Sequence, residues 1–163
     1  MITKAKGGNI TVFDDNAGVY VFVFEFPKDV RVRIGALGFL DFRAGSYLYV
    51  GSARRNLRQR VARHMAATKG VRWHVDYLST HPQVRVIGAV MVQDLSLAEC
   101  HLAQMIGFDL DGTVPVRDVG MSDCRCCCPA HLWWRDRPTT LDEVVAVLPG
   151  LRVVVALGHP WLI

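Results

Sequence analysis

The stretch GSYLYVGSARRNLRQRVARH, residues 45–64, constrains the chain most. A tyrosine-bearing run with strand character over 44–51 ends at Gly51-Ser52. A segment with five arginines and no acid follows at once. Leu57, Val61 and Met65 recur at helical spacing, which predicts a helix over about 56–67 with one apolar side. A strand that breaks at glycine and leads directly into a basic helix belongs in a mixed α/β architecture.

The rest of the chain repeats that alternation. GVYVFVFEF (18–26) is rich in β-branched and aromatic residues and reads as a strand. VRVRIGALG (30–38) alternates valine with arginine, so a strand with one buried and one wet face is expected, joined to the first by the turn PKD (27–29). WHVDYLST (73–80) reads as a short helix stopped by His-Pro, with a strand left open by its Trp, Val and Tyr, and VRVIGAVMV (84–92) as a buried strand. SLAECHLAQMIG (96–107) reads as a helix with a serine cap, in which Ser96 and Glu99 would form a capping box. A helix near 140–148 and a strand near 151–157 close the chain. The expected fold is α/β (α+β): a small, mostly antiparallel central sheet flanked by helices. Residues 1–137 would form the main domain, and 138–163 a helix/strand tail packed on it, with the seam near Pro138.

With 163 residues, 51% of them hydrophobic, the chain can build one substantial core but hardly two. No apolar run approaches the ~20 residues of a membrane span, and the first ten residues lack a signal-like apolar stretch. A soluble, cytoplasmic protein with reduced cysteines is expected. Charge is unevenly placed. Eight Lys or Arg and no acid lie between Phe42 and Val75, whereas Asp94, Glu99, Asp109, Asp111 and Asp118 face Arg117 alone further on. A basic stripe beside an acidic patch suits a polyanion, with a metal ion at the boundary.

Gly18-Val19-Tyr20 and Tyr49-Val50-Gly51 each sit at one end of a predicted strand. Arg60 and His64, four apart, share a helix face, and Glu99 lies on a later helix. This ordered set resembles the GIY-YIG nuclease superfamily, over roughly residues 17–107. FRAGSYLYVGSA, RHMAATKGVRWHVDYL, LAEC and GMSDCRCCCPAHLWW are similar to a little-characterised prokaryotic branch of it, found alone or fused to a base-excision endonuclease.

The resemblance implies a metal-dependent endonuclease hydrolysing phosphodiester bonds in DNA, with RNA as a second possible substrate and a repair enzyme as a possible partner. By resemblance, Tyr20 takes a proton from water, and Arg60 favours its phenolate or grips the phosphate. Tyr49 and His64 bond the water or phosphate, or His64 protonates the leaving group. Glu99 holds one Mg²⁺ or Mn²⁺. Arg54, Arg55, Arg58 and Arg63 are the expected phosphate contacts, helped by free N–H groups at the start of their helix. The superfamily places an asparagine after its metal glutamate. This chain has none there, and Ser122, Asp123 and His131 are candidates to replace it, with His74 a further accessory residue.

Cys124, Cys126, Cys127, Cys128 and His131 fall within eight residues. Their spacing, C-x-C-C-C-x-x-H, lacks a pair of C-x-x-C knuckles, so a packed thiol-rich turn is favoured over a Zn²⁺ site, and Cys100 reads as a core residue. Two other function classes stay open: a nucleic-acid-binding or repair-accessory domain without catalysis, and a zinc- or redox-responsive module centred on the cysteines.

Overall fold

The structure, a computed structural model, describes residues 16–120, 124–125 and 128–158. Five strands form the main sheet: β1 (Gly18–Phe26), β4 (Gly45–Ala53), β5 (Arg85–Val92), β6 (Leu132–Arg135) and β7 (Val153–Leu157). Their order is β6-β4-β1-β5-β7, and every pairing is antiparallel. β2 (Val30–Arg33) and β3 (Phe39–Phe42) make a separate two-stranded ribbon. The helices are α1 (Leu57–Met65), α2 (His74–Ser79), α3 (Glu99–Asp109) and α4 (Leu141–Ala146). The domain is therefore α+β with an antiparallel sheet, as the sequence predicts.

β1 explains why the sheet is covered on both sides. Its even positions, Tyr20, Phe22 and Phe24, and its odd positions, Val19, Val21 and Val23, are all buried. Successive strand residues point to opposite faces, so this central strand has no wet side. The aromatic face packs against Leu57 and Val61 of α1 and Val75 and Leu78 of α2. The valine face packs against Leu102 and Ile106 of α3 and Val144 of α4. Gly107 of α3 is required by that packing, because a Cβ there would lie 2.2 Å from the Trp133 ring.

Three sequence expectations need correction. The strand expected over 30–38 ends at Arg33, since Gly35 and Gly38 adopt φ of 45° and 76° and turn the chain back into β3. The helix expected from Ser96 begins at Glu99 with Ala98 as its cap residue. Ser96 instead bonds Asp94, so the capping box does not form. β3 and β6 were not foreseen. The segment after Pro138 is built into the sheet: β7 pairs with β5 from Val92↔Val153 to Gly88↔Leu157, and Thr139 N–H donates to Ser46 Oγ at 3.0 Å. Among the described residues no helix is long and apolar enough to cross a membrane.

Candidate functional site

The site lies at the end of the sheet where β1 begins and β4 finishes. Register decides which side chains meet there. Tyr20 is paired with Gly51, and Phe22 with Tyr49, so Tyr20 and Tyr49 are diagonal neighbours on one face with ring centroids 6.3 Å apart. Gly51 has a steric purpose. A Cβ at that position would fall 2.4 Å from the Tyr20 hydroxyl. The glycine is the space into which the Tyr20 ring projects.

α1 lies over this face and brings Arg60 and His64 to it. Arg60 and His64 have different surroundings. Arg60 donates to the Ser52 carbonyl at 2.8 Å, lies over the Trp73 ring, and lines a cleft of about 410 Å³. Tyr20, Tyr49, Ser52, His74, Glu99 and His131 also line that cleft. His64 does not. It is 1% exposed and sits behind Tyr20, its Nε2 2.7 Å from the Tyr20 hydroxyl oxygen. The expectation that His64 touches water, phosphate or leaving group is corrected accordingly: it reaches the cleft only through Tyr20. Behind His64 stands Asp76 of α2, wholly buried, with Oδ1 3.7 Å from His64 Nδ1. That distance is an electrostatic approach rather than a hydrogen bond.

The electrostatics follow from burial. Desolvation pushes the Tyr20 phenol well above its usual range, and neighbouring Tyr49 adds to this. Arg60 pulls the other way but does not prevail, so Tyr20 rests as a phenol rather than as the phenolate expected from Arg60. Burial also lowers His64, against the opposing effect of Asp76. A neutral imidazole therefore faces a neutral phenol. Burial tends to raise the Asp76 carboxyl, but the facing His64, the Trp73 and Arg72 N–H groups and the Arg63 guanidinium hold it below the usual carboxylate range.

Glu99 enters the cleft from α3, on the other side of the sheet. One carboxylate oxygen accepts from the Ser52 hydroxyl, and the other lies 2.7 Å from His131 Nδ1. These partners outweigh burial and keep its carboxyl below the usual range. With the capping box absent, Glu99 is held by its cleft partners. Its side chain is 30% exposed, and it is the one carboxylate among the described residues lining the cleft.

The thiol expectation changes most. Cys100 of α3, Cys124, Cys128 and His131 bring one ligand atom each to within 4.8 Å of one another, a donor set that could hold a metal ion. Individual separations are 3.6 Å for Cys100–Cys124 sulfurs, 3.1 Å for Cys124–Cys128 sulfurs, and 3.5 and 3.1 Å from His131 Nε2 to Cys100 and Cys128. Tetrahedral Zn–S and Zn–N bonds of about 2.3 and 2.0 Å imply ligand–ligand spacings of roughly 3.5–3.8 Å. The group is already at nearly that spacing. Cys100, expected in the core, supplies the ligand that the local cysteine spacing lacked. His131 Nδ1–H points at Glu99, which leaves Nε2 as the atom presented to the thiols. Cys126, Cys127, Ser122 and Asp123 lie outside the described residues.

The expected phosphate contacts divide. Arg54, Arg55 and Arg58 are exposed. Arg63 is not available. Its guanidinium grips both Asp76 oxygens at 2.9 and 3.0 Å, bonds the Gly70 carbonyl, and stacks on Trp73. Nor is the start of α1 open to an anion as expected, because Leu57 N–H and Arg58 N–H donate to the main-chain and side-chain oxygens of Asn16. His74 lines the cleft with Nδ1 accepting from Gly120 N–H at 3.3 Å. Arg125, not singled out in the sequence, lines it as well.

The fold and site thus define a small α+β domain with a polar cleft joining a tyrosine–arginine wall to a thiol–histidine group. The chain belongs to the DUF123 family, a domain of unknown function, whose sequence profile matches residues 19–152. No curated protein and no solved structure matches it. The resemblance to GIY-YIG nucleases therefore rests on the residues themselves.

Proposed function

We propose that the protein is a metal-dependent endonuclease that hydrolyses phosphodiester bonds in DNA. The observation that carries this reading is the convergence of Tyr20, Tyr49, Arg60 and Glu99 on one cleft, with the Tyr20 hydroxyl already bonded to a buried imidazole. A hydrolytic step needs a base for water, a cation for the phosphate, and charge neutralisation at the leaving oxygen. Tyr20 provides the first, with His64 as the acceptor of its proton. Arg60 provides the second, its position fixed by the Ser52 carbonyl and the Trp73 ring. Tyr49 lines the same cleft next to Tyr20.

Glu99 would hold a hydrated Mg²⁺ or Mn²⁺, which supplies positive charge against the developing phosphorane. A single partly exposed carboxylate suits such an ion, which is usually bound by few carboxylates and several waters. The Cys100, Cys124, Cys128 and His131 group is assigned to Zn²⁺ instead, because soft thiolates and imidazole select it over hard ions. On this reading Glu99 also orients His131 from the outer shell, as carboxylates commonly do for metal-bound histidines.

Glu99→Gln tests the function directly. Glutamine can accept from one of the two present donors, so melting should change by only about 1 kcal/mol equivalent. Cleavage of single-stranded, duplex and branched DNA at limiting Mn²⁺ should nevertheless fall by about 100-fold or more, as loss of an electrostatic stabiliser does. A variant cutting as fast as wild type, or a wild type inert on all three substrates with either ion, would refute the assignment.

DNA binding carries its own expectation. If Arg54, Arg55 and Arg58 contact phosphates, each contributes about −0.9 to the log–log salt slope on duplex DNA. Replacing all three by alanine should flatten the slope by roughly 2.7 in a fluorescence titration. Arg63→Ala should instead act on stability through Asp76. Salt-independent binding by the wild type would exclude the basic stripe as the contact surface.

A further inference from the structure

Asp76 is the one buried carboxylate among the described residues. An isolated buried carboxylate is costly, so its donors and its purpose both need an account. Four hydrogen bonds reach it: two from Arg63 Nη1, at 2.9 and 3.0 Å, and one each from Arg72 N–H and Trp73 N–H, at 2.8 and 2.9 Å. Lys69 Nζ stands 3.8 Å away and is itself fixed on the Arg63 and His64 carbonyls and on Ser79. A carboxylate serving only as the first-turn acceptor of α2 would need the two N–H donors and no such cage. Within that cage, Oδ1 is the charged acceptor facing His64 Nδ1, an atom with no hydrogen-bond partner of its own among the described residues.

We propose that Asp76 is a positioning residue for the Tyr20–His64 pair: it holds His64 as the Nδ1–H tautomer, which leaves Nε2 to accept the Tyr20 proton, and it stabilises the imidazolium so formed. The inference rests on the hydrolytic reading above. His64 is faced by Tyr20 from β1, Tyr49 from β4, Asp76 from α2, Lys69 from the α1–α2 loop and Arg63 from its own helix, with the Phe22 and Trp73 rings completing its shell. Lys69 and Arg63 disfavour a second positive charge there, and Asp76 is the group that offsets them.

The Tyr20 O–H bond breaks as the His64 Nε2–H bond forms. The phenolate takes a proton from the attacking water as the water oxygen bonds phosphorus. The ester P–O bond breaks, and the leaving oxygen takes a proton from solvent. Tyr20 then releases its proton to solvent and recovers the one held on His64. The arrangement parallels a serine–histidine–aspartate relay with a phenol in place of the serine hydroxyl.

The test compares the full-length wild type with Asp76→Asn. ¹⁵N-imidazole NMR reads the His64 tautomer, and hydrolysis of bis(p-nitrophenyl) phosphate with Mn²⁺ reads the rate against pH. In the wild type His64 should be the Nδ1–H tautomer. The Asn variant should show a mixed or reversed tautomer, a rate lower by at least about 100-fold, and a displaced pH profile, since the corresponding change in a serine triad costs about 10⁴. A variant that loses rate with tautomer and pH profile unchanged would make Asp76 merely structural and overturn the proposal. If the Asn variant does not fold, the wild-type tautomer alone decides: His64 protonated on Nε2 overturns it. A wild type without hydrolysis would defeat the proposed function, while the tautomer comparison would still decide the role of Asp76.

Discussion

Protein purified without chelator should carry about one zinc ion per chain, and Cys100→Ser should reduce this to near zero. Serine preserves the size of the half-buried Cys100 side chain, so the loss is of a ligand rather than of packing. The four donor atoms come from α3, from residues 124 and 128, and from the residue before β6. An ion there would tie Cys124, Cys128 and His131 to α3. Structural metal sites contribute folding free energy directly, and losing one belongs among the large single-site effects. A loss of about 3 kcal/mol would lower the melting temperature by roughly 6–12 °C in a chain of this length. Mass spectrometry under native conditions and a melt with and without EDTA read both quantities. A metal-free protein whose melt ignores EDTA would show the group to be a thiol cluster only.

Tyr20→Phe should abolish most turnover while leaving DNA affinity in place. The hydroxyl is engaged with His64, and in the proposed hydrolysis it would act on water only as the reaction proceeds, so its removal should appear in kcat, by about 10²–10⁴. The ring remains, and with it the packing against Gly51 and Tyr49. The stability cost is that of leaving His64 Nε2 without its buried partner, about 1–3 kcal/mol. His64→Gln should reproduce much of the rate loss, although His64 does not itself line the cleft. Turnover of Tyr20→Phe within a few-fold of wild type would remove Tyr20 from the chemistry.

Much of the sheet was legible because its central strands carry strong local signals. The valine–aromatic alternation of β1 and the apolar run of β5 are both long and bounded by turn residues. β6 was missed because Leu132–Arg135 is four residues long and lies just after the cysteine-rich segment. The tyrosine–arginine–glutamate wall was also visible, since each residue lies on a recognisable element at a definite spacing. What escaped notice depends on contacts across the fold. Cys100 is 24 residues from Cys124, and only the placement of α3 against β4 and β6 brings them together. Nothing local distinguishes Asp76, in the first turn of α2, from an ordinary helix acid. Arg63 looked like its exposed neighbours, and nothing local reveals that it turns inward to that acid. Asn16 caps α1 from more than 40 residues away, which closed an anion site that local sequence left open.

Gly51 and Ser52 are adjacent, yet they serve opposite sides of the sheet. Gly51 makes room for the Tyr20 ring, and Ser52 reaches round to the Glu99 carboxylate. The two requirements are out of phase by one residue, which is the period at which a strand changes face. A slip of β4 by a single position would bring a side chain into the space of Tyr20 and withdraw the hydroxyl from Glu99 together. Folding of this domain therefore has a built-in proofreading condition: a chain that pairs β1 with β4 one step out of alignment loses both walls of the cleft at once.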